Sequence, residues 1–130
     1  MYGFDTGFVC FARGWQNLRP EDEGILWEHI VLNELQGYLP TMAIYYWRNK
    51  QHHEIDFVLP QKMGPEVTVI ECKKSLRHPI DVKNIEIFRK VYPEGKNYVV
   101  VYDLTHSHIK NMGPLEIEFV SLPDLIEKVK

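Results

Sequence analysis

Asp56, Glu71 and Lys73 are the side chains of this sequence whose types and spacing could do chemistry. The run Val67-Thr-Val-Ile-Glu-Cys-Lys-Lys74 reads as a strand apolar on both faces that ends in charge. Val67, Val69, Glu71 and Lys73 share one face, and Thr68, Ile70 and Cys72 the other. Before it, Glu54-Ile-Asp-Phe-Val-Leu59 puts Ile55, Phe57 and Leu59 on one face and Glu54, Asp56 and Val58 on the other. Paired strands lie ~4.8 Å apart, so Asp56 and Glu71 would come close enough to share a ligand. Two unit charges ~4 Å apart repel by about 4 kcal/mol at an effective dielectric near 20. One carboxylate must then take a proton, or a cation must sit between the two. Lys73 offsets part of the repulsion, and a divalent metal would do so while creating a reactive site.

These residues need elements to hold them. A helix is expected over Glu21 to Leu39. Glu21, Asp22 and Glu23 crowd its first turn, where the macrodipole favours acid, and Pro40 stops it. Ile25, Val31, Leu32, Leu35 and Leu39 form its apolar stripe, with Glu28 on the flank: either a partly exposed helix carboxylate or one leaning toward whatever the helix packs on. Glu34 falls toward solvent. Met42 to Arg48 is strand-like and joins the Asp56 strand through the polar turn Asn49 to His53. Gln61 to Glu66, with Gly64 and Pro65, turns into the Glu71 strand. Pro79 and Asp81 announce a second helix reaching about Val91, with Val82, Ile85, Phe88 and Val91 on one side. Strands are expected over Asn97 to Tyr102 and Ile117 to Ser121, and a closing helix over Pro123 to Lys130. The order αβββαββα demands an α/β fold in which a central mixed sheet is flanked by helices.

The 130 residues make one domain of ordinary size, and a formal net charge of −3 gives no general attraction to nucleic acid. Charge is unevenly placed, however. Residues 48–93 carry nine basic and six acidic side chains, which is either a solvated face or a phosphate-facing one. Cys10 and Cys72 read as free thiols of a reducing compartment. With neither a signal-peptide pattern nor a long apolar run, a cytoplasmic location with no membrane partner is expected. His52, His53, His106 and His108 have no zinc-site spacing with the cysteines, and Trp15, Trp27 and Trp47 suit packing better than base stacking.

Glu28, Asp56 and Glu71-Cys72-Lys73, in that order on a helix and two strands, resemble the PD-(D/E)XK nuclease superfamily. Tyr2-Gly-Phe-Asp-Thr-Gly7, Tyr46-Trp-Arg48, Glu54-Ile-Asp-Phe-Val58 and Ile70-Glu-Cys-Lys-Lys-Ser75 resemble the C-terminal domain, of unknown function, of a family of prokaryotic AAA-type ATPases. Ile55 stands where the superfamily often has proline. No phosphate-cradling Gly-x-x-x-x-Gly-Lys run is present, so this chain alone should not hydrolyse ATP.

The resemblance implies a restriction-endonuclease-like fold over 21–130. It makes 1–20 an apolar segment and loop at the junction to an upstream ATPase module of a longer chain. It also implies a Mg2+- or Mn2+-dependent nuclease acting on nucleic acid, DNA ahead of RNA. Asp56, Glu71 and the Cys72 carbonyl would hold the metal. Lys73 would position or deprotonate the attacking water, Glu28 would assist at the metal, and Arg48, Lys74 and Arg77 would contact phosphates. The alternatives are a catalytically inactive module of the same fold that binds nucleic acid, one that regulates an attached AAA-type ATPase, or a purely structural ion-pair network.

Overall fold

A computed structural model describes residues 20–61, 63–77 and 80–130. The segment expected over 1–20, with Cys10 and Trp15, lies outside these residues apart from Pro20. The chain runs α1 (Pro20–Tyr38), β1 (Tyr45–Arg48), β2 (Glu54–Pro60), β3 (Val67–Lys73), α2 (Lys83–Val91), β4 (Asn97–Val101), β5 (His108–Met112), β6 (Leu115–Val120) and α3 (Leu122–Val129). All six strands join one mixed sheet in the order β1-β2-β3-β4-β6-β5. The pairs β3–β4 and β4–β6 are parallel, and the other three are antiparallel. The α/β class with a helix-flanked mixed sheet is as expected.

One strand more than expected is present. His108-Ile-Lys-Asn-Met112 carries no apolar alternation, because β5 lies at the sheet edge with most of its length exposed and has no core to face.

Both faces of the inner strands are buried. On one, α1 and α3 bring Trp27, Val31, Leu32, Leu35, Leu39, Leu125 and Ile126 onto Phe57, Leu59, Ile70, Tyr98, Val100 and Val120. On the other, Val82, Ile85 and Phe88 cover Ile55, Val58, Val69, Val99, Val101, Ile117 and Phe119. Fully buried side chains such as Leu35 and Phe88 each contribute about 2 kcal/mol. Ile25, placed in the α1 stripe by spacing, is 38% exposed, and Trp27 fills the stripe instead. The second helix starts at Lys83 and not at Pro79, the Lys83 amide donating to Asp81 Oδ1 at 2.9 Å, and Val91 is exposed. Ser121 caps α3 by accepting from the Asp124 amide. Among the described residues no helix is long and apolar enough to cross a membrane.

Two local features set up the site. The Asn49 side chain ties the β1–β2 turn by accepting from the amides of Gln51 and His53, which lets His52 adopt φ 66°. The next is a register break: the step from Tyr45 to Trp47 on β1 spans the step from Val58 to Ile55 on β2, one residue longer. The extra residue makes β2 bulge at Asp56 and Phe57. Ile55 therefore packs with Val58 under α2, whereas strict alternation placed it with Phe57 and Leu59.

Candidate functional site

Strands β2 and β3 pair through Phe57↔Ile70, Val58↔Val69, Leu59↔Thr68 and Pro60↔Val67. One step further, Asp56 stands across from Glu71 and the regular ladder ends. The Cys72 amide donates to Asp56 Oδ2 at 2.8 Å, and the Asp56 amide donates to Glu71 Oε1 at 3.2 Å. Each carboxylate thus satisfies an amide of the opposing strand that a carbonyl would otherwise serve. The bulge on β2 and the end of the ladder make this exchange possible, and it draws the two carboxyl groups together.

Their electrostatics follow from that crowding. Burial, then the Glu28 charge, pushes Asp56 up to about 6, although the Cys72 amide and Lys73 pull the other way. Burial, then the Asp56 charge, pushes Glu71 up to about 8, with Lys73 again opposing and Glu28 adding to the rise. One group lies below neutrality and the other above it, so the pair shares about one proton near pH 7. Burial also pushes the Cys72 thiol well up, so it is protonated and inert as a nucleophile.

Glu28, Asp56, Glu71 and Lys73 therefore act on one another, brought from α1, β2 and β3 to one place. The expected phosphate-contacting cations are more dispersed. Arg48 is exposed on edge strand β1, its Nε 3.4 Å from Glu54 Oε1 and its Nη2 2.8 Å from His52 Nδ1. Lys74 Nζ is paired with Glu23 of α1. Arg77 is exposed beyond the end of β3. His53 meets Asn84 Oδ1, and His108 stacks on Phe119, so both belong to the packing.

Among the described residues no three His, Cys, Asp or Glu side chains converge as a metal-holding group. What converges is a pair of opposed carboxylates. That all-oxygen set is small, which suits an ion such as Mg2+ that keeps several waters and would replace the shared proton.

Trp27 and Lys74, the chain neighbours of Glu28 and Lys73, line a cleft of about 230 Å³ together with Glu23, Leu26, Ile30 and Tyr102. Sequence reading missed it. Trp27 is buried as expected, but the helix pattern gave no sign that its neighbours would leave space. By spacing Glu23 serves only the helix macrodipole, and the fold alone brings it to Lys74.

Comparison with known proteins adds a family. Residues 23–125 match the one described as Domain of unknown function (DUF4143). The chain belongs to that family. None of the curated proteins matches. Among solved structures, a chain of the refined half-complex from a tetradecameric assembly of Thermococcus gammatolerans McrB AAA+ hexamers with bound McrC is similar. It superposes with a TM-score of 0.50 at 16% identity, over 77% of this DUF4143 chain and 28% of that chain. The likeness is one of fold, and this chain spans little more than a quarter of the length of its structural relative.

Proposed function

We propose that this domain is a cytoplasmic, metal-dependent nuclease of the PD-(D/E)XK type, hydrolysing phosphodiester bonds of DNA. The observation that carries the reading is the Asp56–Glu71 pair, two mutually repelling carboxylates held at the end of a buried strand next to Lys73. Burying unlike charges stabilises little, and burying like charges opposes folding, so such a pair is best accounted for by a ligand.

Asp56, Glu71 and the Cys72 carbonyl would hold a Mg2+ or Mn2+ ion, which when bound supplies Lewis-acid activation of water and of the phosphoryl oxygen. Lys73 orients the attacking water and offsets the negative charge growing on the phosphate. Glu28 keeps that water aligned from the α1 side. Arg48, Lys74 and Arg77 hold the sugar–phosphate backbone without reading sequence, Lys74 by exchanging Glu23 for a phosphate.

Asp56→Ala and Lys73→Ala, each confirmed folded by circular dichroism, should reduce manganese-dependent cleavage of plasmid and single-stranded DNA by roughly 10²-fold or more. Unchanged rates would remove these roles.

A second reading is supported by the AAA+ assembly in the similar structure. In it the domain is catalytically idle and regulates an attached AAA-type ATPase. Calorimetric titration with Mn2+ separates the two: binding lost in Asp56→Asn favours the nuclease, and no binding even with DNA present favours the regulator.

A further inference from the structure

We infer that the cleft between α1 and the end of β4 is a nucleobase site, and that the substrate strand is therefore single-stranded or locally unpaired. This rests on the nuclease reading for its consequence, whereas its geometry uses none of the four proposed catalytic side chains and shares only Lys74 with that reading. Trp27 is 7% exposed and fixed by its Nε1–H, which donates to the Val100 carbonyl at 3.2 Å. Tyr102 stands edge-on to it, ring centroids 5.2 Å apart and planes at 70°, yet remains 61% exposed. Leu26 and Ile30 complete an apolar interior, and the Glu23–Lys74 ion pair sits among the lining residues.

The backbone ties the cleft to the end of β3. Lys73 pairs with Val101 in the parallel β3–β4 ladder, and the Tyr102 amide donates to the Lys73 carbonyl at 3.0 Å. The Asp103 amide donates to the Lys74 carbonyl at 3.2 Å. Trp27 immediately precedes Glu28 on α1, and Lys74 immediately follows Lys73. Two of the cleft's lining residues, Trp27 and Lys74, are thus chain neighbours of Glu28 and Lys73, with Cα atoms ~3.8 Å apart.

The occupant must be flat enough to lie on an exposed tyrosine ring, apolar on its faces, polar at its edge, and attached to an anion. A base meets these terms. Its face stacks on Tyr102, its exocyclic and ring N–H groups face the Glu23 carboxylate, and its phosphate draws Lys74. An aliphatic side chain of a partner protein would fill the interior but cover the Glu23–Lys74 pair without replacing its water. A base inside a duplex has both faces occupied by its neighbours, so entry requires it to be unpaired or flipped out.

Fluorescence anisotropy in EDTA, with the whole chain and labelled strands of equal length and charge, tests this. Oligothymidylate should bind on the order of tenfold tighter than an abasic strand, and tighter than a duplex of the same length. Tyr102→Ala should erase the difference, and Tyr102→Phe should keep it. Equal binding of oligothymidylate and abasic strand, no binding of either, or a base preference that survives Tyr102→Ala overturns the cleft as a base site. A Tyr102-dependent preference in a protein that hydrolyses no nucleic acid sustains the base site and removes the nuclease. Hydrolysis without any base preference does the reverse.

Discussion

The two ends of β3 bury charge in opposite ways. At the Val67 end, Arg89 of α2 is 8% exposed, and every direction of its guanidinium is answered. It donates to Asn97 Oδ1 at 2.8 Å and to the carbonyls of Tyr92, Glu94, Val67 and Lys96 at 3.1, 2.8, 2.8 and 2.9 Å. A single cation meets acceptors only, and the planar fork fits them without strain. At the Glu71 end, two carboxylates share a small space with a third acidic group on α1, and Lys73 cannot offset all of them. The first arrangement closes a structure: it ties β3, β4 and α2 together. The second is left short of positive charge, which is how a site prepared for a cation or a proton transfer differs from one built for stability.

That contrast can be broken most sharply at Arg89. Arg89→Leu leaves four carbonyls and the Asn97 side chain without their donor, and should lower stability in urea melts by about 3–5 kcal/mol, with Arg89→Lys recovering only part. A loss under about 1 kcal/mol would show the cluster to be well solvated, and the contrast would fail. The same corner holds Gly95 at φ 131°, where an added Cβ would fall 1.9 Å from the Val67 carbonyl oxygen. Gly95→Ala should therefore cost at least about 2 kcal/mol by the same measurement.

The other end predicts the opposite sign. Asp56 and Glu71 titrate higher in the folded chain, about 6 and about 8, than carboxylates ordinarily do. The folded state therefore binds more protons than the unfolded one between the ordinary carboxylate range and about pH 8. Their stabilising contribution is complete below that range and is lost as pH rises through the two folded values. The melting temperature of the metal-free chain should fall by several degrees between pH 5 and pH 8. Asp56→Asn should raise the melting temperature at pH 8 and flatten this slope while removing activity, a gain of stability at the expense of function. Manganese should restore the wild-type melting temperature at pH 8, by about 2.7 kcal/mol at a hundred times its Kd.

The smallest effect belongs to the solvated pair. Glu23→Gln should change stability by less than about 0.5 kcal/mol, because Lys74 keeps its solvation. With no Glu23 carboxylate to leave, Lys74 should bind DNA more tightly at every salt concentration, with the slope of affinity against salt unchanged.

Much of this was legible from residue pattern. Pro20 through Pro40, the apolar runs of β2, β3 and β4, and the turn residues at Asn49 and Gly64 fix element type by local rules of backbone sterics and side-chain period. Asp56, Glu71 and Lys73 could be singled out because charge at the end of an apolar strand is conspicuous. The weaker inferences failed where a residue's environment came from a distant element. Strand β5 carries no hydrophobic period because it is an edge, and Ile25 was assigned to a stripe whose true centre depends on where the sheet lies.

What the sequence by itself determined is the inventory: which segments become helix or strand, and which carry carboxylates at their ends. Local propensity and alternation decide those within a few residues. Only the tertiary structure decided that β2 bulges at Asp56, that the ladder gives way to crossed carboxylate–amide bonds, that Glu23 reaches Lys74, and that Tyr102 stands against Trp27. Those outcomes depend on register and packing between segments far apart in the chain, where a shift of one residue turns every side chain to the other face.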